Sequence, residues 1–365
     1  MSKKILVTEP LMPSLDNFNN YLHEIWQNKW LTNNGSFHKR LEKKLADYLD
    51  VPNLSLFTNG TLALQTALQV LDIKGEVITT PYTFVATSTS LIWNNVKPVF
   101  VDIDPVWCNM DCDKIEEAIT ENTTAILPVH VYGNPCDNSK IQSIADKHGL
   151  KVIYDAAHAF GIKQNGQSIL NWGDLSILSF HATKTFSTIE GGAIVCHDKA
   201  TKKKIDLLKN FGFNGETEVI AAGINGKMNE VQAAYGLAAL DIIDSAISQR
   251  KKISLLYQKQ LAGINGIQMM PNPEGVDHNY SYFPIFVNQD KYGKSRDELY
   301  LHLKQNEVFG RRYFYPLLTD FEPFNQHPSD HLSIAKTMAN QVICLPLHHN
   351  MKEEQVEYIV SLIKA

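Results

Sequence analysis

Lys184 stands in the run Ser179-Phe180-His181-Ala182-Thr183-Lys184-Thr185-Phe186-Ser187-Thr188-Ile189-Glu190-Gly191-Gly192-Ala193-Ile194-Val195. Apolar residues flank it, 175–180 before and 193–196 after, so the pattern predicts a strand, a turn that carries the lysine, and a second strand. An ammonium is costly to bury. In a pocket its pKa falls, and the amine becomes a nucleophile able to condense with a carbonyl. Taken alone, a lysine of this kind is more often a solvated loop residue. Its company elsewhere in the chain decides between the two.

Asp155 closes the hydrophobic run Lys151-Val152-Ile153-Tyr154-Asp155 and is followed by Ala156-Ala157-His158. A carboxylate in that place either caps the next helix or partners a buried cation, and the residues alone leave both readings open. Leu54-Ser55-Leu56-Phe57 reads as a strand, and Thr58-Asn59-Gly60-Thr61 then opens a helix over 62–68. A helix start of small residues presents free N–H groups and a positive dipole end, which suits a phosphate. The same residues also cap a helix that binds nothing. Residues 77–84 form a strand running into a loop that ends at Phe84, and a helix follows over 85–93. Helices over 14–28 and 36–49 are joined by the polar loop Lys29-Trp30-Leu31-Thr32-Asn33-Asn34-Gly35, which has the character of a binding loop.

Further strands are expected over 97–103 and 124–131, with a helix over 139–148. Strands apolar throughout that alternate with helices indicate a mostly parallel sheet covered on both faces. Ligands of such sheets sit at the carboxyl ends of the strands, so Gly60, Thr61, Phe84, Asp155 and His158 are expected along one edge. A long helix is expected from about Ile253, then a loop over 263–273, a strand over 280–288 and helices over 296–306 and 353–363. These segments predict a large domain over 1–250 and a smaller C-terminal α/β domain over 251–365.

The chain has 365 residues, enough for more than one core, with 44% hydrophobic and 20% charged residues, as in a globular protein. A net charge of −5 offers no basic surface for nucleic acid. No stretch is apolar for long enough to serve as a signal peptide or membrane span, so a cytoplasmic protein without a membrane partner is expected. Five cysteines, an odd number, suggest reduced thiols. Cys108 and Cys112 lack a second ligand pair, so no metal is expected. His348-His349 reads as a surface or rim feature. Neither a dinucleotide fingerprint nor a Walker loop occurs in the first half.

A strand-end Asp, a strand-end aromatic, a Gly-Thr helix start and a lysine in a strand–turn–strand make together the parts needed to hold pyridoxal 5'-phosphate (PLP). The lysine would condense with its aldehyde, the carboxylate would keep the pyridine nitrogen protonated, the helix start would hold the phosphate, and the aromatic would stack on the ring.

The sequence also resembles the DegT/StrS sugar aminotransferases over residues 10–346. The motifs that carry this are Trp30-Leu31-Thr32, Asn59-Gly60-Thr61-Leu62-Ala63-Leu64, Pro81-Tyr82-Thr83-Phe84-Val85-Ala86-Thr87, Asp155-Ala156-Ala157-His158, the Lys184 run with Glu190-Gly191-Gly192-Ala193, and 223–234. The resemblance implies the aspartate aminotransferase fold, the fold type I of PLP enzymes, with a three-layer large domain. It implies Lys184, Asp155 and His158 as catalytic residues. Gly60, Thr61, Ser179, Phe84 and Asn225 would complete the cofactor site, Asn225 reaching the neighbouring subunit's phosphate in a homodimer with shared active sites. Thr32, Asn33, Lys227 and Tyr313 are the implied substrate contacts, and Tyr313 stands where many relatives have His. The implied reaction is amination of a nucleotide-linked 4-keto-6-deoxy sugar, dTDP-4-keto-6-deoxyglucose, by L-glutamate, for surface polysaccharide (O-antigen) biosynthesis. Amination of a 3-keto sugar, or a regulatory or scaffolding member with a dead site, are the alternatives.

Overall fold

The computed structural model describes residues 4–32 and 34–365, so Asn33 lies outside the described residues. Seven strands form the main sheet, in the spatial order Asn53–Phe57, Gly192–Cys196, Leu175–Ser179, Lys151–Asp155, Thr123–Leu127, Glu76–Thr79, Lys97–Phe100. Neighbours run parallel except Gly192–Cys196, which is antiparallel to both strands beside it. The sheet is thus mostly parallel, and the one reversed strand is the second arm of the hairpin that carries Lys184.

Strand alternation sorts side chains to two faces. Ile153, Ile177 and Ile194 pack with Ala63, Leu64, Ala67 and Leu68 of the helix Gly60–Val70. Leu56, Leu178 and Val195 face the other way, onto Phe37, Leu41 and Leu45. Those three residues recur at the four-residue spacing that builds one stripe of the helix Ser36–Leu49, and all are fully buried. Each contributes about 2 kcal/mol by leaving water. The sheet with a helical layer on either face is the three-layer architecture expected.

A second core gathers Ile253, Tyr257, Leu261, Phe283, Ile285, Leu299, Ile343, Val356 and Ile359 around a three-stranded sheet of Ile267–Met269, Phe283–Val287 and Val342–Leu345. The helix expected from about Ile253 starts ten residues earlier, as Ile243–Leu261. Ile243, Ala246, Arg250, Ile253, Tyr257 and Leu261 continue one buried stripe, so nothing in the packing interrupts it at 250. Its first half packs on the core of Leu41 and Leu237, its second half on that of Phe283 and Ile359. The boundary expected at 250/251 falls inside this helix. Arg250 donates to the carbonyls of Tyr280, Ser281 and Leu347 and is buried at the join. His348, expected at the surface or rim, is buried beside Glu9. The five cysteines are buried free thiols.

Glu230, the first residue of the helix Glu230–Leu240, is buried and accepts the backbone N–H groups of Phe37 and His38, both at 2.9 Å. The N-terminal end of Ser36–Leu49 has no cap of its own from Gly35, so a carboxylate from a distant helix supplies one. The backbone N–H of Glu230 also holds the Leu31 carbonyl at 3.0 Å, which ties down the loop after Trp30. Glu230→Ala leaves two buried donors unpaired and is expected to destabilise the chain by about 3 kcal/mol, read as a lower urea midpoint at unchanged slope.

Candidate active site

The carboxyl ends of the sheet strands converge on the hairpin loop between Leu175–Ser179 and Gly192–Cys196. Within it the Phe180 N–H bonds the Gly191 carbonyl at 2.8 Å, the Thr188 N–H bonds the Phe180 carbonyl at 2.9 Å, and the Lys184 N–H bonds the His181 carbonyl at 2.9 Å. These bonds fix the loop that presents Lys184. A Cβ added to Gly192 would stand 2.7 Å from the Gly60 nitrogen and the Asn59 carbonyl carbon, so this strand passes the start of the Gly60 helix only as glycine.

That helix start has the features of an anion cradle. The Asn59 side chain caps the Leu62 N–H at 2.8 Å, so the capping reading of this motif holds. The cap leaves the N–H groups of Gly60 and Thr61 in the first turn without a side-chain partner among the described residues. A Cβ on Gly60 would meet the Ser179 Cβ at 3.2 Å and its Oγ at 3.4 Å, which sets the two residues side by side. Gly60 and Ser179 are therefore neighbours, with Thr61 next in the same first turn, and a helix start capped in this way still offers N–H groups to an anion.

Asp155 is buried at the end of its strand. Its Oδ1 accepts the Ala157 N–H at 3.1 Å and its Oδ2 accepts the Thr87 hydroxyl at 2.7 Å. No helix follows, so the carboxylate closes a short turn rather than capping a helix. Burial raises its pKa, while the bonds from Thr87 and Ala157 and the charge of Lys184 hold it down. Lys184 is part-buried, and burial lowers its pKa to about 8 against the opposing pull of Asp155. The amine and the carboxylate are thus close enough for each charge to act on the other's pKa, as a poised amine beside a buried acid requires.

His158 is buried too, and its Nδ1 accepts the Tyr132 N–H at 3.2 Å. Burial first, and the Lys184 charge second, push its pKa well below the ordinary value. The ring is therefore neutral, with its proton assigned to Nε2 by the Tyr132 bond. Phe314 stacks on it at 5.9 Å and Tyr282 meets it edge-on at 4.9 Å. Asn279 and Ser281 hold the His158 carbonyl at 2.9 and 2.8 Å.

Phe84, the residue preceding the helix Val85–Trp93, is exposed, which leaves its ring open to stacking. Tyr313 is part-buried against Tyr282 at 5.6 Å, so it belongs to the His158 side of the pocket. Thr32 and Asn225 are exposed, and Lys227 stacks over the Phe211 ring at 4.3 Å. Asn33 lies outside the described residues. Thr87, Tyr132, Tyr282 and Phe314 are site residues that the sequence reading did not single out. Thr87 had a legible signal, because it lies within a motif already singled out.

The DegT/DnrJ/EryC1/StrS aminotransferase family profile matches residues 14–364. A dTDP-4-amino-4,6-dideoxy-D-glucose transaminase of Shigella dysenteriae is 53% identical over 366 residues, covering 100% of this chain and 99% of the relative. An Escherichia coli protein of the same name is 50% identical over 365 residues, covering 99% and 98%. Among solved structures, DesI in the presence of its TDP-sugar product superposes with a TM-score of 0.96 at 31% identity, covering 100% of this chain and 93% of that one. A lysine amine, a buried carboxylate and a glycine-lined anion cradle at one sheet edge agree with a match that spans nearly the whole sequence, and the chain belongs to the DegT/DnrJ/EryC1/StrS family of PLP-dependent aminotransferases.

Proposed function

We propose that this enzyme transfers an amino group to C4 of a nucleotide-linked 4-keto-6-deoxy sugar, dTDP-4-keto-6-deoxyglucose, with L-glutamate as donor, for O-antigen synthesis in the cytoplasm. The observation that carries the chemistry is the electrostatic coupling of Lys184 to the buried carboxylate of Asp155. The choice of sugar is supported by the two transaminases at 53% and 50% identity over essentially the whole chain.

PLP, when bound, supplies an aldehyde carbon for amines and a protonated pyridine ring that withdraws electrons from the carbon being aminated. The residues present fit it. Lys184 has a pKa near 8, so a sizeable share of its amine is unprotonated in mildly alkaline solution and able to condense with an aldehyde. When not so engaged, the same Nζ would be the base and acid that moves the proton between the substrate carbon bearing nitrogen and the cofactor carbon that was the aldehyde. Asp155, with two donors on its oxygens, would keep the cofactor's ring nitrogen protonated. Neutral His158 offers Nε2–H as a donor and does not add positive charge to the pocket. Gly60, Thr61 and Ser179 hold the phosphate, and Phe84 covers the ring from its open side.

The roles of Asn225, Lys227 and Thr32 follow from a homodimer with shared sites, because each is far from complete within one chain. Support comes from the exposed apolar residues Trp26, Trp30, Leu31, Phe84 and Trp93, which a single subunit leaves in water. Tyr313 would then contact the sugar from the small core's side of the pocket.

Lys184→Ala is expected to lower turnover of dTDP-4-keto-6-deoxyglucose and L-glutamate by at least about 10³-fold with little change in melting temperature. Retained activity would refute the assignment. Asp155→Asn is expected to cost about 10²-fold in kcat while the protein folds normally, checked by single-turnover kinetics and circular dichroism. For the cofactor-free protein, the rate of cofactor capture should rise with pH through about 8 and level off above it, because the free amine is the reacting form; a rate that does not change across that range would show that Lys184 is not the capturing group.

A further inference from the structure

The hydroxyls on the helix Val85–Trp93 that make a hydrogen bond divide into two kinds. Thr89 and Ser90 turn back onto their own helix, donating to the carbonyls of Val85 at 3.0 Å and Ala86 at 2.7 Å. This is the ordinary way for a buried helical hydroxyl to be satisfied. Thr87 does otherwise. It gives its hydroxyl to Asp155 Oδ2 at 2.7 Å, and its oxygen meets the Thr83 hydroxyl at 2.9 Å.

The direction of these bonds follows from proton counting. An ionised carboxylate has no proton to give, so Thr87 is the donor to Asp155. Its one proton is then committed, so the 2.9 Å contact requires Thr83 to donate to Thr87. Both threonines are buried, at 4% and 1% exposure, so water does not take over either bond. Thr83 lies just before the helix cap and Thr87 in the first turn, where the N-terminal dipole adds to the attraction for an anion. Other titratable groups around Asp155 are Lys184 from the hairpin loop, His158 three residues on, and His130, whose N–H bonds the Asp155 carbonyl at 3.1 Å and whose ring stacks on Tyr154. Only Lys184 among them carries a charge opposite to the carboxylate.

We propose that Thr83 and Thr87 are positioning residues, a two-hydroxyl relay that orients the Asp155 carboxylate and keeps it an acceptor for the protonated ring nitrogen of the cofactor. The inference rests on the reading of Asp155 given above and extends it to residues that touch neither cofactor nor substrate.

The test uses the full-length holoenzyme and the cofactor-free chain. Thr87→Val keeps the shape of the side chain and removes the donor. It should move the acid limb of the kcat/KM profile up by about one pH unit and reduce kcat about tenfold. Thr87→Ser should restore both. In the cofactor-free chain, ¹³C-carboxyl titration, with the Asp155 signal identified by its loss in Asp155→Asn, should show a midpoint displaced upward in Thr87→Val and restored in Thr87→Ser. A limb and a midpoint that both stay in place overturn the proposal, whatever the loss of rate. Thr83→Val should move both readouts in the same direction by less. It serves as the deciding variant if Thr87→Val does not fold, and its failure to move them overturns the proposal equally. Full kcat in Asp155→Asn would instead refute the role of Asp155, and the carboxyl titration would still report on the relay.

Discussion

An amine and a buried carboxylate close enough to act on each other's pKa set the terms for the rest of this structure. Burial works against both charges, raising the acid and lowering the base, and each opposes that trend in the other. The balance is maintained by neutral groups. Thr87 and the Ala157 N–H occupy the two oxygens of Asp155, and His158 is kept uncharged by its surroundings and its bond from Tyr132. No second full charge is placed beside the pair, so the lysine is neither locked as an ammonium nor stripped of its partner.

The strand directions explain how such a pair comes about. Parallel strands deliver Asp155 and Ser179 to the same edge, and the reversed strand Gly192–Cys196 returns the chain so that the loop between carries Lys184 over that edge. Close approach is possible because Gly60 and Gly192 lack side chains where hairpin and helix start meet. Around this edge the helices are secured from a distance, with Glu230 capping a helix almost two hundred residues away in sequence.

Much of this was legible in the residues. The apolar runs marked the sheet strands, the four-residue spacing of Phe37, Leu41 and Leu45 marked their helix, and the helix 85–93 has the bounds its sequence suggests. Asp155 and Ser179 end their strands at the carboxyl edge of the sheet, as the strand-end rule places them, a rule that needs no knowledge of side-chain contacts. Less legible were features settled by long-range packing. The start of Ile243–Leu261 was missed because its first two turns are buried by residues such as Leu41 and Leu237, and that burial cannot be read from a local pattern. Tyr282 and Phe314 reach His158 from segments more than a hundred residues further on, with no motif linking them. Thr32 and Asn225 are exposed and Lys227 lies over the Phe211 ring, positions that no strand-end rule fixes.

The helix Ile243–Leu261 has 19 residues and neither glycine nor proline along its length. It behaves as a stiff rod about 28 Å long, with both ends embedded in different hydrophobic interiors. Arg250 grips three carbonyls near its middle. A jaw-like opening of the two cores would have to bend this rod or tear out that grip. Admission of a bulky sugar nucleotide therefore falls to the exposed segments at the rim, and the catalytic pair is spared from being pulled apart with each cycle.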